Sequence, residues 1–263
     1  MRAFHRFIII ITTTFLLAVN AYAAAQTTVT FVACPIYRDT DPGRKSGCWL
    51  ADDPASQIRY DVSAAPMKPL LGKKILVEGV ANDDSNACGG VPLRPLRTSV
   101  LDEVCEPVMI PAEGFTGRRF AVPPDAQRPT WEPRQLPPPP YVTTDFHIFF
   151  NHNSDFLVYQ HAEIVIEKVL LYAQASHARE VQVIGYAATQ PLIASGQQFA
   201  ESNSLARSRA EAVRLSLDRL GINSSQLKVS WSTHAQPVES ALVPTPTASL
   251  RRVTIRVVPG KAN

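Results

Sequence analysis

A proline-rich stretch near the middle of the chain limits how it can fold more than any other feature. Eight prolines fall between Pro123 and Pro140. Proline fixes φ and lacks a backbone N–H, so this stretch is expected to be stiff and extended rather than helical or part of a sheet. The chain is therefore predicted to form two folded units, with residues 113–141 as a linker that holds them apart. A proline-rich ligand for another protein, Leu136–Pro140, is the alternative role.

The first 25 residues have the pattern of a secretory signal peptide. Two arginines and a histidine precede the largely apolar run Phe7–Val19, and Ala21-Tyr22-Ala23 offers a cleavage site. The run is shorter than the roughly 20 residues of a spanning helix, which favours cleavage over an uncleaved anchor. Because the first cysteine is Cys34, attachment of a lipid at the cleavage site is not expected. Residues 1–25 therefore predict export.

Composition argues against a nucleic-acid partner. Of the 263 residues, 45% are hydrophobic and 19% are charged, which is enough apolar material for two modest cores. The formal net charge of +3 becomes +1 without residues 1–25, because these carry two arginines and no acid. Proteins that bind nucleic acid by charge present strongly basic surfaces. A chain so close to neutral is not expected to be one of them.

Four cysteines predict a disulfide framework in an exported protein. They are Cys34, Cys48, Cys88 and Cys105. Three pairings are possible, and Cys34–Cys48 with Cys88–Cys105 is favoured because each bond then closes a local loop. A zinc site is the alternative, but the C-x-x-C spacing typical of such sites is missing from the sequence.

Residues 26–112 are predicted to form a small β-rich domain. Short β-branched and aromatic runs alternate there with turn clusters rich in Asp, Asn, Gly and Pro. The predicted strands are 28–32, 58–62, 75–80 and 98–104. Short strands linked by disulfides indicate a small barrel or sandwich, and an OB-like barrel is one such form.

Residues 142–260 are predicted to fold as an α+β domain in the order β-α-β-α-β-β, with the helices on one face of a mixed sheet. The predicted strands are 146–150, 180–186, 228–234 and 251–258, and the predicted helices are 156–177 and 203–220. In the second helix, Arg209 lies four residues from both Leu205 and Val213, beside the apolar stripe. A guanidinium there is either a member of a structural ion pair or a receptor for an anion.

Four blocks of this second unit, in their order along the chain, carry a family resemblance. They are Ile148–Phe150 with Ser154 and Leu157, Val181–Tyr186, the set Leu205, Arg209, Ala210, Val213 and Leu217, and Arg251–Val253. The third block reads L-x-x-x-R-A-x-x-V-x-x-x-L. Together they resemble the OmpA-like carboxy-terminal domain of the OmpA, Pal and MotB type over residues 144–258.

The resemblance implies non-covalent binding of peptidoglycan in the periplasm, with association with the outer membrane as a further option. The diaminopimelate of the stem peptide ends in one free ammonium and one free carboxylate. In the family, an Asp after the central strand binds the ammonium, and the helix Arg binds the carboxylate together with backbone N–H groups. Arg209 matches that Arg, and Tyr186, Ser202 and Asn203 are the further predicted ligand-binding residues.

The sequence departs from the family pattern at the other half of this site. Ala188 stands where the family has its Asp, and the loop Thr189–Ala200 is several residues longer than usual. Loss of a charged hydrogen bond weakens binding by about 1.5–3 kcal/mol, so weak peptidoglycan binding is predicted. Two acids near in sequence are candidates to replace the Asp, Glu201 and Asp155. Arg251 and Arg252 are expected to be structural.

Catalytic patterns are missing from the sequence. There is no G-x-S-x-G, no H-E-x-x-H and no phosphate-binding glycine loop, and the histidines do not fall at metal-ligand spacing. The chain is therefore predicted not to be an enzyme and to need no cofactor or metal. Two functions remain open. One is an envelope protein that holds the cell wall through Arg209. The other is an interaction protein that keeps the OmpA-like fold, does not bind the wall and contacts another envelope protein.

Overall fold

Two β-sheet units make up the described part of the protein. The computed structural model describes residues 27–41, 47–82, 89–113 and 134–260. The predicted signal peptide, Cys88 and most of the proline-rich linker lie outside these ranges. Within them, no helix is both long and apolar enough to span a membrane.

The first unit is a barrel built from one continuous sheet. Its strands are β1 (Thr28–Ala33), β2 (Pro35–Arg38), β3 (Cys48–Asp52), β4 (Arg59–Asp61), β5 (Lys73–Ala81), β6 (Val91–Val104) and β7 (Val108–Ile110). The sheet order is β1-β5-β6-β4-β3-β2-β7. Only Cys34 separates β1 from β2, so these two form a single bent strand whose halves pair with β5 and β3. The bend closes a ring of five strands.

Strand directions identify the ring as an OB-like barrel. Strands β4 and β6 run parallel, whereas β1 with β5, β5 with β6, β2 with β3 and β3 with β4 are antiparallel. Counting β1 and β2 as one strand, the order around the ring is 1-2-3-5-4-1, the Greek-key arrangement of the OB fold. The predicted small disulfide-bonded β domain is confirmed, in its OB-like form.

The barrel interior is filled by the inward residues of the alternating strands. Its core includes Phe31, Tyr60, Ile75 and Leu93. The rings of Phe31 and Tyr60 lie 5.5 Å apart between centroids. At Gly79 a Cβ would sit 2.7 Å from Leu93 Cδ1, so only glycine lets β5 and β6 approach this closely.

A disulfide joins Cys34 to Cys105, which are 71 residues apart in sequence. The predicted pairing of Cys34 with Cys48 and of Cys88 with Cys105 is therefore wrong. Cys34 follows β1 and Cys105 follows β6, and both of those strands end beside the start of the β5 strand that lies between them. Closure of the barrel brings the two residues together, a long-range effect that local loop length does not reveal. Cys48 is also disulfide-bonded.

The second unit has a four-stranded sheet with the order β12-β9-β13-β8. Its elements are β8 (Thr144–Phe149), α1 (Tyr159–Ala175), β9 (Glu180–Tyr186), β10 (Leu192–Ala194), β11 (Gln197–Phe199), α2 (Ser204–Arg219), β12 (Leu227–Ser232), α3 (Pro246–Leu250) and β13 (Arg252–Val258). Strands β9 and β12 are parallel, and β13 is antiparallel to both β8 and β9. The predicted order β-α-β-α-β-β is confirmed, with the short elements β10, β11 and α3 added to it.

Helices α1 and α2 pack on one face of this sheet and share a single core with it. Alternation along β9 buries Val181, Val183 and Gly185 beneath them. At Gly185 a Cβ would clash with the carbonyl oxygen of Ala206, because α2 crosses the strand without a side chain between them. This close crossing fixes the helix that carries Arg209.

The two units contact each other directly. The hairpin β10–β11 lies against the barrel, where Ser195 Oγ accepts a hydrogen bond of 3.0 Å from Val32 N. Ala194, Leu192 and Phe199 of the hairpin segment pack with barrel residues Val32, Leu76 and Leu101. We call the whole contact between residues 27–113 and 134–260 the junction. The predicted role of the linker, to hold the units apart, is therefore wrong.

The end of the linker also packs on the second unit. Arg134 forms an ion pair with Glu167 of α1. The Tyr141 ring meets Tyr172 edge-on at 5.9 Å, and Tyr172 Oη donates a 2.6 Å hydrogen bond to Val142 O. Residues 134–143 thus lie along α1 before β8 begins.

Candidate functional site

Arg209 is completely buried on the sheet-facing side of α2. All five N–H groups of its guanidinium find acceptors. Nε donates to Ser154 O at 2.8 Å, Nη1 to Tyr186 O at 3.0 Å and Nη2 to Asn151 O at 3.2 Å. The remaining two donate to the carboxylate of Glu201, from Nη2 at 2.6 Å and from Nη1 at 2.8 Å. The hydrogen-bonding capacity of the Arg209 guanidinium is therefore fully used by acceptors of the chain itself.

The carboxylate of Glu201 is equally enclosed. Besides the two-point contact with Arg209, it accepts hydrogen bonds from Ala188 N at 2.8 Å and Asn153 N at 2.9 Å. Neither Glu201 nor Arg209 has any exposed side-chain surface. Burial alone would raise the pKa of Glu201, but the hydrogen bonds and charge of Arg209 outweigh it and hold the pKa below its ordinary value. We call the site formed around the Glu201 carboxylate by the Arg209 guanidinium, Ala188 N and Asn153 N the Arg209 pocket.

His152 lies at the rim of the Arg209 pocket. Its Nδ1 is 3.9 Å from Glu201 Oε1, and its ring meets the Phe199 ring edge-on at 5.4 Å. Burial, followed by the charge of Arg251, lowers the pKa of His152 below its ordinary value. The imidazole is therefore neutral at pH 7 and leaves the pairing of Glu201 with Arg209 undisturbed.

The structure brings only part of the predicted site together. Tyr186 contributes its carbonyl oxygen to Arg209, while its ring lies 4.5 Å beneath the guanidinium of Arg252. Ser202 and Asn203 are exposed at the start of α2, away from the enclosed guanidinium. The ligand-binding role of these residues stays a prediction.

Of the two acids proposed to replace the missing Asp, Glu201 is the one inside the pocket. Asp155 is exposed. Ala188 is buried, and its N–H is one of the donors to Glu201. The second unit therefore supplies its own carboxylate to the arginine that the family resemblance assigns to a ligand carboxylate.

The barrel covers the neighbouring surface. Arg97 Nη1 donates to Phe149 O at 3.2 Å and to Asn151 Oδ1 at 3.3 Å, and Ser99 Oγ accepts from His152 N at 2.8 Å. The segment that supplies acceptors to Arg209 is thus held from its other side by β6. Sequence reasoning did not find these contacts, because nothing near Arg97 or Ser99 in sequence indicates which distant segment they will meet.

A second buried ion pair crosses the junction. Glu78 of β5 binds Arg251, and both side chains are almost wholly buried. Thr245 Oγ1 adds a hydrogen bond of 3.1 Å to Glu78. Arg251 therefore has the expected structural role, which is to link the second unit to the barrel through Glu78. The nearby Arg252 is also structural, since it donates to Gln236 O and Ser249 O at 3.0 and 2.8 Å.

The chemistry of the site is that of an anion receptor. It consists of a guanidinium and backbone N–H groups around one carboxylate. Across the described ranges, no group of three or more His, Cys, Asp or Glu residues is placed to hold a metal ion. The function that follows depends on whether Glu201 can be displaced.

Sheet order, the two helices on one face and the arginine on α2 agree with the α+β fold that the OmpA-like resemblance of the sequence predicts for the second unit. No family model matches the chain, and no curated protein matches it. Solved structures are similar to it over less than half of its length. They include the OmpA-like domain of FopA1 from Francisella tularensis, at 20% identity over 46% of this chain and 77% of that one, with a TM-score of 0.35.

Two further solved structures show the same extent of likeness. The periplasmic domain of Helicobacter pylori MotB is 22% identical over 46% of this chain and 78% of that one, with a TM-score of 0.35. The peptidoglycan-associated lipoprotein from Burkholderia pseudomallei is 20% identical over 43% of this chain and 89% of that one, with a TM-score of 0.34.

Proposed function

We propose that this chain is an exported cell-envelope protein whose OmpA-like unit is an interaction module with low affinity for peptidoglycan. The observation that carries the proposal is the carboxylate of Glu201, which occupies the Arg209 pocket with two hydrogen bonds from the guanidinium and two from backbone N–H groups. The unit keeps the OmpA-like fold and uses its anion receptor internally. Its partner is another envelope protein in the periplasm.

Displacement of Glu201 by a wall peptide is unfavourable on physical grounds. A stem-peptide carboxylate would need the same donors that Glu201 already uses, and Glu201 would then be left as a buried charge without its partner. Separating a buried ion pair typically costs about 3–5 kcal/mol. A ligand must exceed this cost before any binding is observed.

The ammonium side of the ligand also lacks its partner. Ala188 has a methyl group where the resemblance calls for a carboxylate, and it is buried. Both halves of the receptor are thus altered, one by substitution and one by internal occupation. These two changes support contact with a protein over contact with the wall as the main role of the unit.

Co-sedimentation of the mature chain with purified sacculi tests the proposal. The parent protein is expected to stay in the supernatant. Glu201→Ala combined with Ala188→Asp, which frees the arginine and restores the Asp, is expected to gain binding. Glu239→Ala combined with Ala241→Asp, which makes the same two substitutions at exposed positions and likewise leaves the net charge unchanged, is the matched control.

One result would contradict the proposal. If the parent protein sediments, and the double variant Glu201→Ala with Arg209→Ala abolishes sedimentation, the pocket binds the wall despite its internal carboxylate. The double variant removes both charges together, so a loss of binding would not reflect an unpaired buried charge.

A further inference from the structure

The junction contains more buried positive than negative charge. Five charged side chains that are at most 6% exposed meet there: Glu78, Arg97, Glu201, Arg209 and Arg251. Three cations and two anions leave a formal charge of +1. The neighbouring His152 does not alter this sum, because it is neutral at pH 7. A buried excess charge is unfavourable unless a counter-charge lies beside it.

Among the described residues, Arg97 carries the charge that remains unpaired. It lies directly opposite Glu78 across the pairing of β5 with β6, yet Glu78 binds Arg251 instead. Neutral partners, Phe149 O and the amide oxygen of Asn151, are the acceptors for Arg97. Burial, followed by the charge of Arg251, lowers the pKa of Arg97 to about 9. The charge of Arg209 adds to this lowering of the pKa, and the charge of Glu78 opposes it.

Hydrogen-bond donors without acceptors belong to three neighbouring residues, since Arg97 contacts Asn151 directly and the charge of Arg251 acts on Arg97. Arg97 Nε, Arg251 Nε and Asn151 Nδ2 are buried and have no hydrogen-bond partner in the described part of the chain. The amide of Asn151 cannot be reversed to relieve this, since Arg97 can only donate and so requires the amide oxygen to face it. Buried donors in native proteins normally have partners. What these three need is an acceptor.

We propose that the junction binds one small monovalent anion, a halide or a short carboxylate, between Arg97, Arg251 and Asn151. Such an ion supplies the acceptor that the three donors require and brings the formal charge of the buried group to zero. A water molecule would supply the acceptor but not the charge. Because the three side chains are almost wholly buried, bulky anions are excluded.

Thermal unfolding of the mature full-length chain tests this inference. The protein is measured in sodium chloride, sodium formate and sodium gluconate at equal ionic strength, with gluconate as the anion too large to enter. The midpoint temperature is expected to rise saturably with chloride or formate, by about 2–4 °C or more over gluconate. A response to chloride alone or to formate alone identifies the ion. Equal midpoints in all three salts would overturn the proposal.

The substitution Asn151→Asp supplies the missing charge within the chain. An aspartate oxygen still accepts from Arg97, and the second oxygen replaces the unpartnered nitrogen with an acceptor. The variant is expected to unfold at a higher temperature than the parent in gluconate and to lose the response to chloride and formate. Asn223→Asp, on an exposed loop, adds the same charge as a control and is expected to keep the response.

Line broadening of the chloride NMR signal measures binding without depending on stability. The parent protein is expected to broaden the signal, formate or unlabelled bromide to compete, and Asn151→Asp to remove the effect. Retained broadening and a retained salt response in Asn151→Asp would place the ion elsewhere and overturn the assignment.

Discussion

Single and paired substitutions at Arg209 and Glu201 should have different effects on stability. Arg209→Leu leaves the carboxylate of Glu201 buried without a cation, and we expect a loss of about 3–5 kcal/mol in the free energy of unfolding. The double variant Arg209→Leu with Glu201→Leu leaves no buried charge and should lose less. Urea unfolding of both variants measures the difference, and equal losses would show that the pair is not coupled.

Acid should weaken the protein through Glu201. A carboxyl whose pKa is lower in the folded than in the unfolded state stabilises the fold above the unfolded value of about 4.3, and this contribution is lost as the pH falls through the folded pKa. The pKa of Glu201 is lowered in this sense by Arg209. Stability of the parent should therefore decline below about pH 4 more steeply than that of Glu201→Gln.

Urea midpoints between pH 3 and pH 7 check this expectation. Asp145→Asn serves as the control, because Asp145 also has a lowered pKa from its hydrogen bonds to Arg256 but lies at the surface. Curves for the parent and Glu201→Gln that run parallel across the whole range would contradict it.

At the scale of single residues, the sequence was informative where side chains follow a regular period. Helical spacing placed Arg209 beside the apolar stripe, and the structure finds it buried there. The same spacing could not identify its partner. Glu201 lies eight residues earlier and outside the helix, where an acid near a helix start is usually explained by solvent and the helix dipole.

At the scale of elements, long periodic segments were predicted well and short ones were not. The predicted helices 156–177 and 203–220 correspond to Tyr159–Ala175 and Ser204–Arg219. The hairpin β10–β11 was missed because strands of three residues have no detectable period. Leu192, Ala194 and Phe199 of the hairpin pack against barrel residues, so its conformation depends on a distant part of the chain.

The crossing of α2 over β9 gives a prediction at this scale. Gly185→Ala would place a Cβ against the carbonyl oxygen of Ala206, and overpacking of this kind typically costs about 1–3 kcal/mol. We expect the variant to lower the urea midpoint and to expose Arg209 by displacing α2. Gly196→Ala, at a position with a φ of +75° and nothing within 4 Å, gives for comparison the cost of backbone strain without crowding. An unchanged urea midpoint for Gly185→Ala would show that α2 can move away from β9 without loss of stability, contrary to this prediction.

At the scale of the whole molecule, the docking of the two units was not predictable from the sequence. Glu78 and Arg251 form an ion pair although they are 173 residues apart in sequence. Neither lies in a sequence motif that indicates its partner. The disulfide from Cys34 to Cys105 is likewise not predictable from local sequence, because it depends on closure of the barrel. Contacts of this kind arise from the final packing and leave no local pattern.

The junction should make the two units unfold together. Calorimetry of the parent is expected to show one transition. Glu78→Ala leaves Arg251 buried without its partner, which should weaken the junction and separate the unfolding into two transitions. Glu103→Ala removes an acid that contacts Gln197 across the junction at the exposed surface, and one transition should remain. Two transitions in the parent would show that the units are independent.

The position of the hairpin in the chain links two properties of the protein. Strand β11 ends at Phe199, and Glu201 follows after a single intervening residue. A connection this short cannot stretch, so the carboxylate moves with the hairpin, and the hairpin moves with the barrel that buries it. Occupation of the Arg209 pocket by Glu201 and packing of the barrel against the hairpin are therefore expected to change together. Displacement of the barrel is therefore expected to change the surroundings of Arg209 as well.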